Sequence, residues 1–205
     1  MSYDDTLLHV DMRKTFFFVV LHVSMAEMPS SNNSPYALAV EMQKNLNDQI
    51  NLEYEAFYLY EQLAAYFARS DKALFGFAAY FRKAADEERH HAHELTELMN
   101  KRMGTVTLKN IEIPLTTPTT WRTPATALRM ALVKETEVAQ HLSGVFAKAQ
   151  EINDFHIQDR LEHFVHEQAT AIFKLQSLIT RLDGKSDAVE YLIDQELLNP
   201  PSMHD

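Results

Sequence analysis

The sequence predicts an all-α protein: a four-helix bundle with a long crossover between its second and third helices, followed by a short fifth helix. Three observations support this fold class. The chain of 205 residues contains only four glycines, and its seven prolines leave two long proline-free stretches, 36–113 and 125–199. Helices exclude both residue types, so each stretch is predicted to hold two helices. Apolar residues recur through both stretches at three- and four-residue steps, the spacing of one helix face.

The first proline-free stretch is predicted to form a helical hairpin. Ser70-Asp71 is a capping signal that separates a helix of about 40–68 from one of about 72–102. Gly104 stands where the second helix is expected to end, because glycine is common just past a helix C-terminus.

The second stretch is predicted to form another hairpin and the short fifth helix. Thr123-Pro124 combines an N-cap with proline at the first helical position, and Asn153-Asp154 begins the next helix. Gly184 is expected to end that helix, and the fifth helix is predicted at Asp187–Leu198.

Between the two hairpins lies the segment 104–123, which contains seven threonines and has no helical period. An extended chain advances roughly 3.3 Å per residue, whereas a helix rises about 1.5 Å per residue. This segment can therefore run the full length of a helix. The second and third helices are then free to point in the same direction.

Each apolar stripe is interrupted near its middle by residues that bind metals: Glu53 in the first, Glu88 and His91 in the second, Glu135 in the third and Gln168 in the fourth. Burying an unpaired carboxylate costs several kcal/mol, so three of them at similar depth predict buried cations. Oxygen-rich ligands with one imidazole suit iron or manganese better than copper or structural zinc. The alternative is a core histidine beside partly exposed glutamates on a solvated face.

Composition excludes several other classes. A formal charge of -10 argues against nucleic acid and against anionic membrane surfaces as partners. The absence of cysteine excludes disulfides, thiolate zinc sites and cysteine nucleophiles. No apolar run approaches the roughly 20 residues of a membrane span.

Residues 1–34 are predicted to be an extension of a domain at 35–205. The segment from Met12 to Ala26 has the basic, apolar and small-residue parts of a signal peptide, but the residues before it are acidic. Two alternatives follow. Translation begins at Met12 and the protein is secreted, or the extension is incidental to a cytoplasmic protein. The second is preferred.

Several motifs resemble the ferritins, the catalytic iron-storage subunits, over about residues 36–198. They are Gln49-Ile50-Asn51-Leu52-Glu53, Tyr80-Phe81, Glu87-Glu88-Arg89-His90-His91-Ala92, Glu167-Gln168 and Glu190-Tyr191-Leu192. The resemblance implies a ferritin-like bundle that forms a homo-oligomeric shell of twenty-four subunits. It implies ferroxidase activity, in which Fe(II) is oxidised by oxygen at a diiron centre inside each bundle. The Fe(III) is then deposited as mineral in the shell cavity.

The resemblance also implies roles for the interrupting residues. Glu53 and His91 would hold one iron, Glu88 would bridge, and Glu135 would hold the second iron with Gln168 close by. Two irons per subunit are therefore expected at the catalytic centre.

Tyr60, two turns after Glu53 on the same face, matches the tyrosine that ferritins keep beside the centre. Its residue type and position alone favour a core aromatic with a satisfied hydroxyl.

The chain departs from related families at three positions. Gln168-x-x-Ala171 replaces the second Glu-x-x-His of a symmetric diiron bundle, which argues against bacterioferritin and rubrerythrin. Arg89 stands where bacterioferritins carry a haem-ligating methionine, so no haem is predicted. A third iron site, to which Glu87 and Glu167 could contribute, lacks the glutamate that would stand at Ala171.

Two surfaces have weaker expectations. His90 and His93 stand at positions that are usually acidic on the mineral-nucleating face, and an ordinary solvated face is an equal alternative. Asp159 and Glu162 match, displaced by one residue, the carboxylates of the iron-entry channel.

Two other functions compete with ferroxidase-coupled storage. One is a catalytically quiet iron carrier, and the other is a diiron oxidase that forms no shell.

Overall fold

The computed structural model describes residues 36–111 and 122–199. The chain divides into two units, Met1–Ala37 and Leu38–Asp205, and the helices of the described residues belong to the second. The described residues form helices and no strands, which confirms the all-α class. The helices are α1 Val40–Phe67, α2 Phe75–Lys101, α3 Pro124–Glu151, α4 Phe155–Leu182 and α5 Asp187–Leu198. The predicted extension, and residues 112–121 of the predicted crossover, lie outside the described residues.

The helices α1 to α4 form the bundle, in which α1 packs on α2, α3 packs on α4, and α1 also packs on α3. Along α1, Glu41 pairs with Lys148 at 3.0 Å and Glu55 pairs with Lys134 at 3.1 Å. Residue numbers thus rise along α1 as they fall along α3, so these helices are antiparallel. Because α1 is also antiparallel to α2 across the turn 68–74, α2 and α3 point the same way, as the long crossover predicts.

The beginning of α2 differs from the prediction. Asp71 does not cap it, because its carboxylate is held by Arg69 at 2.8 Å. Ala73 adopts a left-handed φ of 52°, and the helix begins only at Phe75. The cap comes from α5 instead, where Asp194 accepts a hydrogen bond from the Phe77 backbone N–H at 3.0 Å. A carboxylate at this end is stabilised by the unpaired N–H groups and the helix dipole.

Gly76 allows this contact. A Cβ atom at Gly76 would lie 1.7 Å from the backbone oxygen of Asp194. The backbone of α5 therefore approaches the first turn of α2 at a distance that only glycine permits.

The other predicted helix ends are mostly confirmed. Thr123 and Asp154 each accept a backbone N–H at the start of their helices, and Thr123 forms a full capping box. Gly184 has a positive φ of 65° directly after α4. After α2, however, the left-handed residue is Met103 rather than Gly104.

Three amide side chains at four-residue steps along α1 bind the first part of the crossover. Gln43, Asn47 and Asn51 accept the backbone N–H groups of alternate residues in the segment 105–109, and the two asparagines also donate to backbone carbonyls there. Four helical residues advance about 6 Å, which nearly equals the advance of two extended residues, so each successive side chain meets an equivalent backbone position. The crossover is thereby aligned with α1.

Two apolar clusters fill the bundle, one at each end. Phe67, Phe77 and Phe81 belong to the first, and Met42, Leu46 and Met99 belong to the second. Between the clusters lies a layer of buried polar side chains, which includes Glu53, Glu88, Glu135 and Gln168.

No helix among the described residues is long and apolar enough to cross a membrane.

Candidate metal centre

Three ligand-type side chains meet in the polar layer. One atom each from Glu53 on α1 and from Glu88 and His91 on α2 lies within 4.8 Å of the others, and all three side chains are largely buried. His91 Nδ1 lies 3.9 Å from Glu53 Oε2 and 3.6 Å from Glu88 Oε2. Within 36–111 and 122–199, this is the only group of three or more such residues with its atoms so close together. Two bonds of about 2.1 Å span up to about 4.2 Å, so a cation can bind His91 Nδ1 together with either oxygen.

Two oxygens of this group have no hydrogen-bond partner among the described residues, Glu53 Oε2 and Glu88 Oε2. The two side chains are only 2% and 4% exposed. A buried acceptor without a donor costs about 1–3 kcal/mol, and more when it is charged. Both oxygens face the same imidazole nitrogen, so a shared cation would satisfy all three atoms together.

The electrostatics of the layer also favour a cation. Burial raises the pKa of Glu53 well above its ordinary value, and the neighbouring charge of Glu88 raises it further. Burial and the charge of Glu135 raise the pKa of Glu88 to about 8. Burial raises the pKa of Glu135 as well. These carboxyls therefore resist ionisation in the metal-free protein, and a bound cation would reverse that preference.

Glu135 is held from two sides. The Tyr60 hydroxyl donates to Glu135 Oε1, and Gln168 Nε2 donates to Glu135 Oε2 at 2.8 Å. Burial, with the charge of Glu135, raises the pKa of Tyr60 well above its ordinary value, so the hydroxyl keeps its proton. The structure thus places Tyr60, Glu135 and Gln168 together, beside the group formed by Glu53, Glu88 and His91. A carboxylate oxygen has two lone pairs, so Glu135 can accept these bonds and still bind a cation.

A cavity of about 990 Å³ opens on this layer between α2 and α4. Glu88, His91, Glu135 and Gln168 line its inner part, and Glu87, Glu167 and Lys174 line its outer part. Glu167, whose side chain is 57% exposed, lies across the cavity with Oε2 at 3.2 Å from His91 Nε2. A neutral His91 that donates from Nε2 to Glu167 keeps the Nδ1 lone pair directed at the two orphaned oxygens.

Histidines and glutamates continue along this side of α2. His90 lies 3.4 Å from Glu94, which also meets His163 of α4 at 2.9 Å, and His93 is exposed. Their part in mineral nucleation stays a prediction.

The chain is similar to known proteins that share this fold. A family model described as the ferritin-like domain matches residues 43–184, which run from α1 to the end of α4. The chain belongs to the ferritin family. It is 41% identical to a ferritin of Pacifastacus leniusculus over 155 residues, which cover 74% of this chain and 84% of that protein.

The matches to two further relatives cover nearly the whole length of those proteins. The ferritin middle subunit of Salmo salar is 39% identical over 168 residues, covering 79% of this chain and 94% of the relative. The soma ferritin of Lymnaea stagnalis is 36% identical over 164 residues, covering 79% and 93%.

The structure also shows the surroundings of the residues on which the haem and third-iron-site predictions depend. Ala171 lines the cavity, and Glu87 nearby pairs with Lys83 at 3.4 Å. Arg89 is exposed and pairs with Asp86 at 3.0 Å. The expectations of no haem and of an incomplete third iron site stay predictions. The iron-entry channel also stays a prediction, because Asp159 and Glu162 are exposed residues at the start of α4 and their role depends on a shell.

Sequence reasoning missed two residues: Gln49, which contacts the candidate ligand Glu53, and His141, which contacts Gln49. Gln49, which is fully buried, donates from Nε2 to Glu53 Oε1 at 2.7 Å, and its Oε1 meets His141 Nδ1 at 2.6 Å. Gln49 stands four residues before Glu53, so the helical spacing contained a signal for it. His141 had none, because its partner lies on another helix.

Proposed function

We propose that this chain is an iron-storage subunit with ferroxidase activity, which oxidises Fe(II) with oxygen inside its own bundle. The observation that carries the proposal is the pair of orphaned oxygens, Glu53 Oε2 and Glu88 Oε2, which face His91 Nδ1 between two apolar clusters. Membership of the ferritin family supports iron as the metal.

In this proposal Glu53 and His91 bind one Fe(II), and Glu88 bridges to a second. Glu135 binds the second ion, with Gln168 beside it. Each Fe(II) gives one electron, and oxygen takes both to reach the peroxide level. The protein supplies ligand geometry and negative charge that stabilises Fe(III), while the two ions supply the redox chemistry.

Tyr60 holds Glu135 through its hydroxyl, which gives this side of the centre a fixed oxygen. Because Tyr60 lines the cavity, it also lies beside the space that oxygen can occupy. We place it in the catalytic centre as a positioning residue.

The oxidised iron leaves through the cavity between α2 and α4, where Glu167 offers the next carboxylate. Hydrolysis of Fe(III) then releases protons and yields an oxyhydroxide mineral. The proposal includes a homo-oligomeric shell of twenty-four subunits that holds this mineral. It also includes a cytoplasmic location, with secretion from a start at Met12 as the alternative.

The test is the time course of Fe(II) oxidation in air at two irons per subunit, followed by absorbance. His91→Ala and Glu88→Ala are expected to abolish the fast phase, because each removes a ligand of the first ion or the bridge. His93→Ala is the matched control, since His93 is an exposed histidine of the same helix. It should keep the fast phase.

Other outcomes decide between the competing functions. A slow time course that is identical in all variants and in buffer would indicate a quiet iron carrier. Native mass spectrometry tests the shell separately, because a particle of one or two subunits would favour a diiron oxidase without a cage.

A further inference from the structure

The ligand Glu53 is held by a buried chain of hydrogen bonds that crosses from α1 to α3. Gln49 has no exposed surface, lies one helical turn before Glu53, and donates from Nε2 to Glu53 Oε1 at 2.7 Å. On its other side, Gln49 Oε1 lies 2.6 Å from His141 Nδ1. One amide thus joins a candidate iron ligand to a histidine of another helix.

The order of donors along this chain follows from the chemistry of Glu53. An ionised carboxylate, the form that binds a cation, accepts hydrogen bonds and donates none. If the Gln49 amide were flipped, its carbonyl oxygen would lie against that carboxylate, two acceptors at hydrogen-bond distance. When Glu53 is ionised to bind a cation, the NH₂ group therefore faces Glu53 and the carbonyl oxygen faces His141, which then donates from Nδ1.

Burial lowers the pKa of His141 and favours a neutral imidazole, whose single N–H is available to donate from Nδ1. His141 also lines a groove of about 570 Å³ between α1 and α3. This groove is formed by different residues from those of the cavity between α2 and α4.

The consequence concerns the two oxygens of Glu53. Oε1 is occupied by the amide, so the carboxylate cannot rotate without losing a buried hydrogen bond. Oε2 is then the oxygen that faces Glu88 and His91 and has no other partner. Partners of this kind outside the ligand sphere commonly change metal affinity by about 10–100-fold.

We propose that Gln49 and His141 are positioning residues, which hold Glu53 with one oxygen turned toward the incoming iron. The inference rests on the proposed function for the identity of the metal. Its mechanism is orientation: neither residue touches the ion, and their loss is expected to weaken binding rather than to remove the redox step.

The test measures Co(II) binding to the metal-free protein by titration calorimetry and by visible absorption, so that no oxidation is involved. Gln49→Met keeps the size and flexibility of the side chain but removes both hydrogen bonds. It is expected to lower the affinity for one of the two ions per subunit by about 10–100-fold and to leave the other ion bound. His141→Leu is expected to lower the affinity for the same ion. His141→Asn is expected to keep that affinity, because the asparagine amide can donate in place of Nδ1.

Gln140→Met is the matched control, because Gln140 is an exposed neighbour of His141 on α3. In Fe(II) oxidation, Gln49→Met should raise the iron concentration that gives half the maximal rate and change the saturating rate little. A purely structural role would lower both through loss of folded protein. The histidine pair tests the same chain should Gln49→Met fold poorly.

Co(II) binding by Gln49→Met and His141→Leu that equals that of the unaltered protein would overturn the inference and leave the proposed function intact. If the unaltered protein binds no Co(II) at this site, the proposed function fails, and the inference fails with it.

Discussion

Replacing Glu88 by glutamine is expected to stabilise the metal-free protein above about pH 6 while it removes tight cation binding. Glu88 is buried, its Oε2 has no partner among the described residues, and its pKa is raised to about 8. Glutamine has nearly the same size, and its amide can donate to the orphaned Oε2 of Glu53. The substitution therefore removes a titrating group and fills an unmet acceptor with little change in packing.

The magnitude follows from the difference in pKa between the folded and unfolded states. The ordinary pKa of a glutamate is 4.5, and folding raises the pKa of Glu88 to about 8. Between these values the folded protein holds a proton that the unfolded chain has lost. The free energy of unfolding therefore falls as pH rises, by up to about 1.4 kcal/mol per pH unit for this group. From pH 5 to pH 8 the loss is roughly 3 kcal/mol, and above pH 8 it levels off.

The assay is guanidinium unfolding of chelator-treated protein at pH 5, 6, 7 and 8, followed by circular dichroism at one protein concentration. Glu88→Gln is expected to lower the slope of stability against pH by roughly 1 kcal/mol per unit. Glu97→Gln serves as control, because Glu97 lies exposed on the same helix with its side chain 67% accessible. Equal slopes for the unaltered protein and Glu88→Gln would refute the reasoning.

The same unfolding experiment can be repeated with a bound cation. Co(II) at about a hundred times its dissociation constant is expected to stabilise the unaltered protein by about 2.7 kcal/mol, because it binds only the folded state. Glu88→Gln should gain much less, since it has lost the bridging carboxylate. Opposite changes in stability and affinity would show that the carboxylate is kept for binding rather than for folding.

Two further predictions concern the scaffold. Gly76→Ala is expected to displace α5, because the new Cβ would lie 1.7 Å from the α5 backbone. Limited proteolysis should then cut the chain before α5. Gly144→Ala is the control: nothing lies within 4 Å of its Cβ, so it should leave the free energy of unfolding unchanged or raise it by up to about 1 kcal/mol. Asn47→Leu is expected to cost about 1–3 kcal/mol in thermal or denaturant unfolding, because it leaves backbone groups of Thr105 and Thr107 without their partners. Unchanged hydrogen exchange at Thr107 in that variant would contradict the proposed alignment of the crossover.

Much of the fold could be predicted because its information is local. Thr123 and Asp154 cap their helices through residues three positions away, so the signal lies within one turn. The spacing of Glu88 and His91 likewise places both side chains on one helix face, whatever surrounds them. Helical periodicity then brings the polar layer to one depth, since each interrupted stripe must face the same core.

The remaining features depend on contacts between distant residues. The cap of α2 was wrongly assigned to Ser70-Asp71, because the group that fills this place is Asp194, 117 positions from Phe77. The partner of Gln49 is equally distant, since His141 lies 92 positions along the chain. Neither contact leaves a periodic pattern, so each requires knowledge of how the helices pack.

The two sides of the polar layer differ, and under the proposed function this difference would allow the bundle to hold iron and to release it. Between α1 and α3, side chains bind one another directly: His141 meets Gln49, which holds Glu53, and Tyr60 holds Glu135. Ligands on this side therefore have fixed orientations. Between α2 and α4, a cavity of about 990 Å³ replaces such contacts, and the partly exposed Glu167 reaches across it. A site closed on all sides would bind iron tightly and trap it, whereas one open on all sides would lose the geometry that oxidation needs. With one rigid face and one accessible face, ligand orientation and product release are separate properties, and substitutions on the two faces should change affinity and turnover independently.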